Sequence, residues 1–138
     1  MIHPVLLDTG PLVAFLNSRD THHEWTKHQW ALIKPPLLTC ESVLAEACYL
    51  IRNAYDGAEK VFELLSRGIL RIDFDLAAEV EQVGRLIKRY SDIPMSLADA
   101  CLVRMAEKHT RATILTLDSD FTFYRTGDRR VIPIIAPT

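Results

Sequence analysis

What constrains this chain most is a rhythm. Five short apolar runs, at residues 3–8 (HPVLLD), 35–39 (PPLLT), 69–74 (ILRIDF), 112–118 (ATILTLD) and 130–135 (RVIPII), alternate with longer segments whose apolar residues recur at helical spacing. Strands separated by helices cannot pair as hairpins, so they pair in parallel through crossovers. The expected fold is α/β: a three-layer α/β/α sandwich around a five-stranded, mainly parallel sheet. Pro133 removes a backbone donor and assigns the last strand to an edge. Helices are expected over 10–17, with Pro11 in the first turn; over 21–33, opened by a Thr21/Glu24 capping box; over 41–53; and over 56–67, closed by Gly68. Two more follow, at 75–90 with Leu76, Val80, Val83 and Ile87 facing inward, and at 97–109 behind a Ser96 cap.

Length then bounds the organisation. A chain of 138 residues is about one ordinary domain long, and we read 1–138 as a single unit. With 49% hydrophobic and 25% charged residues it is neither a disordered tail nor a disulfide scaffold. No apolar run is long enough to span a bilayer, and the opening MIHPVLLDTG lacks the basic and apolar regions of a signal peptide. A cytoplasmic protein with no membrane association is expected. Cys40, Cys48 and Cys101 contain no CxxC pair and read as reduced core residues. The balance of 16 basic against 18 acidic residues lends no support to binding nucleic acid by net charge.

Four carboxylates stand among the wrong neighbours for surface acids. Asp8 and Asp118 end the two most apolar strands, at the carboxyl edge where parallel sheets place their ligands. Glu46 has Val43, Tyr49 and Leu50 at helical spacing, and Asp99 has Met95, Leu102 and Val103, so each is expected to face the interior or a cleft in it. Taken singly, each acid is explained more simply by an ion pair. Four acids with few basic residues near them in sequence repel one another, and hard divalent cations with oxygen ligands, Mg2+ or Mn2+, are what hold such a cluster together.

The segments that carry these acids, VLLDTGPLVAFL, SVLAEACYL, SLADACLV and LTLDSDF, resemble in order and spacing the four signature segments of the PIN-domain family. The likeness runs from Val5 to about Ile135, and DTHHEW at 20–25 resembles the start of the family's second helix. By size and pattern the chain is similar to the VapC-like ribonuclease toxins of toxin–antitoxin pairs. The resemblance implies that Asp8, Glu46, Asp99 and Asp118 are the catalytic, metal-binding acids. Thr9, Thr116 and Ser96 would support them. LDSD offers two acids: Asp118 directly follows the strand, which leaves Asp120 as a secondary ligand or a turn cap. Implied too are Mg2+- or Mn2+-dependent cleavage of RNA by an activated water, 5′-phosphate and 3′-hydroxyl products, a cognate antitoxin and a homodimer.

Basic residues at Arg104, Lys108 and Arg125 are candidates to guide RNA, each weighed against a solvated face or a salt bridge. His22, His23 and His28 lack the spacing of a helical metal pair, and His23 is expected to pack or cap. Two rivals remain. The triplet Asp8-Thr9-Gly10 is the aspartic-protease signature, although such enzymes are all-β. A non-catalytic RNA-binding or scaffold module would keep the acids without productive geometry.

Overall fold

The structure is a computed structural model and describes residues 3–54 and 56–138. Met1 and Ile2, the start of the expected unit and of the segment read for a signal peptide, lie outside the described residues, as does Tyr55. Along the chain run β1 (Val5–Leu7), α1 (Thr9–Leu16), α2 (His23–Ala31), β2 (Leu37–Thr39), α3 (Glu41–Leu50), α4 (Gly57–Ser66), β3 (Leu70–Ile72), α5 (Val80–Arg89), α6 (Leu97–Lys108), β4 (Thr113–Leu115) and β5 (Ile134–Ile135). Short 3-10 turns occupy Leu76–Glu79 and Ser119–Thr122.

Within the sheet all pairings are parallel, in the order β3-β2-β1-β4-β5, with β5 at the edge as expected from Pro133; a lone antiparallel bridge joins Arg125 and Val131 outside it. The first two crossovers step one way from β1, and the third returns across the sheet to β4. Because such crossovers are right-handed, the two sets of helices fall on opposite faces, which completes three layers. Helix α1 packs on both α2 and α3, and α3 on α4, while α5 packs on α6, with a smaller contact between α3 and α6. An all-β protease architecture is excluded, and Asp8-Thr9-Gly10 is instead a strand-to-helix turn.

The strands are shorter than the apolar runs that announce them. Leu6, Leu7, Ile114 and Leu115 are fully buried, each contributing about 1.5–3 kcal/mol by leaving water. Burial continues past the last ladder bond, however. Thr116 and Ala112 are buried outside β4, so hydrophobicity overstates the strand. Pro4 has no amide hydrogen, and only its carbonyl joins the ladder, accepting from Thr113 N at 3.1 Å.

Three local expectations are corrected. The Thr21/Glu24 capping box does not form. The Asp20 carboxylate instead accepts the His22 N–H at 2.9 Å, an Asx-type turn that delays α2 to His23. His23 meets the expectation of packing or capping, its Nδ1 lying 2.6 Å from the Ala14 carbonyl oxygen, and α1 and α2 are further joined by a Phe15–Trp30 stack at 3.9 Å. Helix 75–90 is split into a 3-10 turn and α5, and its inward stripe is Glu79, Val83 and Leu86, with Val80 and Ile87 exposed. Glu79 turns inward because Arg104 Nε and Lys108 Nζ bind its two oxygens at 2.8 and 2.7 Å. The three cysteines are free, and among the described residues no helix is long and apolar enough to cross a membrane.

Candidate active site

Strand order reverses between β1 and β4, which makes the crevice beyond their carboxyl ends the natural ligand position of this sheet. The ladder runs one residue further than the strands, Asp8 N donating to Leu115 O at 3.1 Å. Asp8 then leaves the sheet and caps α1, its Oδ1 accepting from Thr9 N at 2.8 Å. Gly10 lets this first turn sit close to the β4 loop, since a Cβ there would meet Leu117 at 3.3 Å. The cleft that results has a volume of about 580 Å³.

Asp8, Glu46, Asp99 and Asp118 all line it, together with Thr9 and Ser96. Thr116 is buried behind them and links two of the acids. Its Oγ1 donates to Asp8 Oδ2 at 2.7 Å and accepts from Asp118 N at 2.9 Å. Asp118 Oδ1 in turn accepts from Asp120 N at 2.9 Å, so Asp118 caps the Ser119–Thr122 turn. Asp120 lies outside the cleft lining, whereas Asp118 and Ser119 belong to it.

Asp99 is held from two elements. Ser96 and Asp99 form a reciprocal capping box at the start of α6, at 3.0 and 3.3 Å. Tyr124 donates its hydroxyl to Asp99 Oδ2 at 3.2 Å. Tyr124 is fully buried and escaped notice in the sequence, where it reads as one more core aromatic. The available signal was its position three residues after Phe121: a tyrosine on that inner side must find a partner for its hydroxyl.

Glu46 faces a cleft, the second of its two expected settings, but with fewer apolar neighbours than its helical spacing suggested. Val43 and Ala47 are buried, but Tyr49 and Leu50 are 62% and 54% exposed, so Glu46 stands on the open side of α3 and borders the cleft instead of the interior. Its single tie is Thr9 Oγ1, which donates to Oε2 at 3.3 Å.

The electrostatics follow from this packing. Asp8 is 6% exposed, and burial, reinforced by the charges of Asp99 and Asp118, pushes its pKa up to about 6 against the hydrogen bonds from Thr116 and Thr9. Burial also raises Asp99, with Asp118 adding to it. The Tyr124 phenol is pushed up by burial and by the neighbouring Asp99 charge, so it remains a donor. Among the described residues, no Lys, Arg or His lines the cleft.

Among the described residues, no three His, Cys, Asp or Glu side chains form a ready coordination set. The donor set nevertheless fits a hard divalent cation: oxygen ligands only, uncompensated by any protein cation. Each acid also keeps acceptor capacity, most plainly Asp99 Oδ1, Asp118 Oδ2 and Glu46 Oε1, which are not the oxygens held in the hydrogen bonds above.

The candidate RNA-guiding residues lie outside the cleft lining. Arg104 and Lys108 clasp Glu79, with Arg104 also reaching Glu107 at 3.2 Å. Arg125 spans its own turn, donating to the carbonyls of Thr122 and Tyr124 at 2.7 and 3.0 Å.

Residues 5–128 match the PIN domain family model. The chain is 30% identical over 116 residues to Ribonuclease VapC26 of Mycobacterium tuberculosis (strain ATCC 25618 / H37Rv), an alignment covering 83% of this chain and 86% of that protein. Its fold is similar to the crystal structure of Mycobacterium tuberculosis VapC20, described as a Sarcin-Ricin loop cleaving toxin. The TM-score is 0.77 at 24% identity, over 86% of this chain and 93% of that one.

Proposed function

Because the chain belongs to the PIN-domain family, we propose that it is a divalent-metal-dependent endoribonuclease and the toxin of a toxin–antitoxin pair, with Asp8, Glu46, Asp99 and Asp118 as its metal-binding catalytic acids. The observation that carries this reading is a cleft at the strand-order reversal, lined by four carboxylates and no basic side chain. Mg2+ or Mn2+, when bound, lowers the pKa of an attacking water and offsets charge developing on the scissile phosphate.

The protein's own part is to orient the acids. Thr116 ties Asp8 to the backbone of Asp118, so two acids from different strands move as one unit. Ser96 and Tyr124 both address Oδ2 of Asp99 and so aim its other oxygen. Thr9 steers Glu46, while Asp120 acts through its backbone N–H on Asp118. In this reading the products carry a 5′-phosphate and a 3′-hydroxyl. The same reading assigns the protein to the cytoplasm, as a homodimer held inactive by a cognate antitoxin.

The test is calorimetric titration of Mn2+ into the protein and into its Asp99→Asn variant, alongside an RNA-cleavage assay of both. Saturable binding and cleavage that are lost together in the variant support the reading. Absence of binding at millimolar Mn2+ removes its chemistry and leaves the scaffold module.

A further inference from the structure

The amino ends of β1, β2 and β3 enclose a second, smaller cavity of about 190 Å³, on the edge of the sheet opposite the acids. Three of its lining residues are basic: His3, Lys34 and Arg71. None is acidic; the remainder are Pro4, Val5, Pro35, Pro36 and Leu38. Register explains the grouping. Leu6 pairs with Leu38, and Leu38 with Arg71, so the residues preceding β1 and β2 meet the side of β3 that carries Arg71.

Seven of the chain's arginines are already engaged. Arg67, Arg85, Arg104 and Arg130 are paired with carboxylates, and Arg52, Arg89 and Arg125 are bound to backbone carbonyls. The side chains of His3, Lys34 and Arg71 make no hydrogen bond or ion pair among the described residues. Like charges gathered without a counterion raise the local potential and favour an anion. The three prolines fix backbone φ around the rim and supply no N–H, so recognition rests on side chains that a stiff frame presents. The size is selective as well. It is several times the roughly 30 Å³ share of a water molecule, but below the roughly 300 Å³ at which pockets for whole small molecules begin.

We propose that this notch is a phosphate-binding site, with the Arg71 guanidinium and the Lys34 ammonium as the charged donors and His3 as a ring N–H donor. The proposal stands independently of the nuclease reading. If the phosphate belongs to an RNA backbone, the notch is a second anchor for a strand on the side of the sheet away from the acids.

The experiment is an amide NMR titration of the metal-free protein with inorganic phosphate at constant ionic strength. Without a divalent cation the acidic cleft repels phosphate, so the two sites are separated from the outset. We expect saturable shifts confined to residues around 3–5, 34–38 and 71. Arg71→Ala should weaken the interaction about tenfold or more, as loss of one charge-assisted contact requires. Both side chains are exposed, so Arg71→Ala and the Lys34→Ala/Arg71→Ala pair should melt at the wild-type temperature. No saturable shift at those residues, or shifts that persist in the double variant, overturns the proposal. A short RNA with hydroxyl ends identifies the source: movement of the same amides assigns internal backbone phosphates. Movement by phosphate or a nucleoside monophosphate alone assigns a free or terminal phosphate.

Discussion

Glu79 and Asp8 are buried to nearly the same degree, at 7% and 6% exposure, yet the fold treats them in opposite ways. Glu79 is met by Lys108 and Arg104, which hold its carboxyl below the ordinary range. Asp8 is met by hydroxyl and amide donors and by two further acids, and its pKa rises to about 6. Burial alone therefore does not mark a functional acid. The mark is burial left without a counter-charge, because a fold keeps such a group only where something from outside supplies the charge.

Removing an acid from the uncompensated group should have the largest effect. Asp99→Asn keeps the acceptor that Ser96 and Tyr124 address and deletes only charge, since the amide nitrogen can occupy the side of Oδ1. RNA cleavage should fall about a thousandfold or more, the order of several kcal/mol of metal-borne stabilisation, while the metal-free melting temperature rises. A variant that unfolds, or that cleaves normally, would erase the distinction between the two regions.

The next effect is on stability. Metal-free, folded Asp8 ionises at about 6 instead of the ordinary 3.8, so between those values the folded state binds more protons than the unfolded chain. Stability should fall by about 3 kcal/mol as pH rises through that window and level off above it. Denaturant titrations in a chelator at a series of pH values measure the slope. Adding Mg2+ or Mn2+ near neutral pH should restore stability by binding only the folded form. A flat profile contradicts an uncompensated Asp8.

Tyr124→Phe should cost about 1 kcal/mol, the net value of one hydrogen bond, and lower cleavage a few fold by loosening Asp99. Denaturant midpoints and turnover on one RNA read both. Glu79→Gln sharpens the comparison from the other side: it should lower the melting temperature while leaving cleavage and Mn2+ affinity unchanged. A loss of metal binding in that variant would mean the two regions are not separate.

Much of this was legible in the chain because polarity changes abruptly where it matters. An aspartate that closes VLL or LTL interrupts a hydrophobic run, and a carboxyl strand end in a parallel sheet has a known location. Asp118 was favoured over Asp120 because it directly follows the strand; the role of Asp120 stayed open, since a turn has no period to say which side chain faces where. For Arg104 the choice between RNA contact, solvated face and salt bridge stayed open because its partner Glu79 lies in the 3-10 turn before α5, and only the packing of α5 on α6 joins them. Glu46 was assigned an apolar setting from the residue types at 49 and 50, yet α3 leaves both in solvent. Periodicity reports hydrophobicity, whereas exposure depends on which neighbours the topology brings alongside.

The bond from Asp8 N to Leu115 O adds one rung to the β1–β4 ladder, and that rung divides the cleft by stiffness. Asp8, Thr116 and the backbone of Asp118 are tied to the central sheet by hydrogen bonds and are expected to open only with it. Glu46, exposed and tied by one hydroxyl, can swing on nanosecond timescales without disturbing them. Substrates of different shape would thus meet a rigid jaw and a compliant one, with adaptation confined to the α3 side.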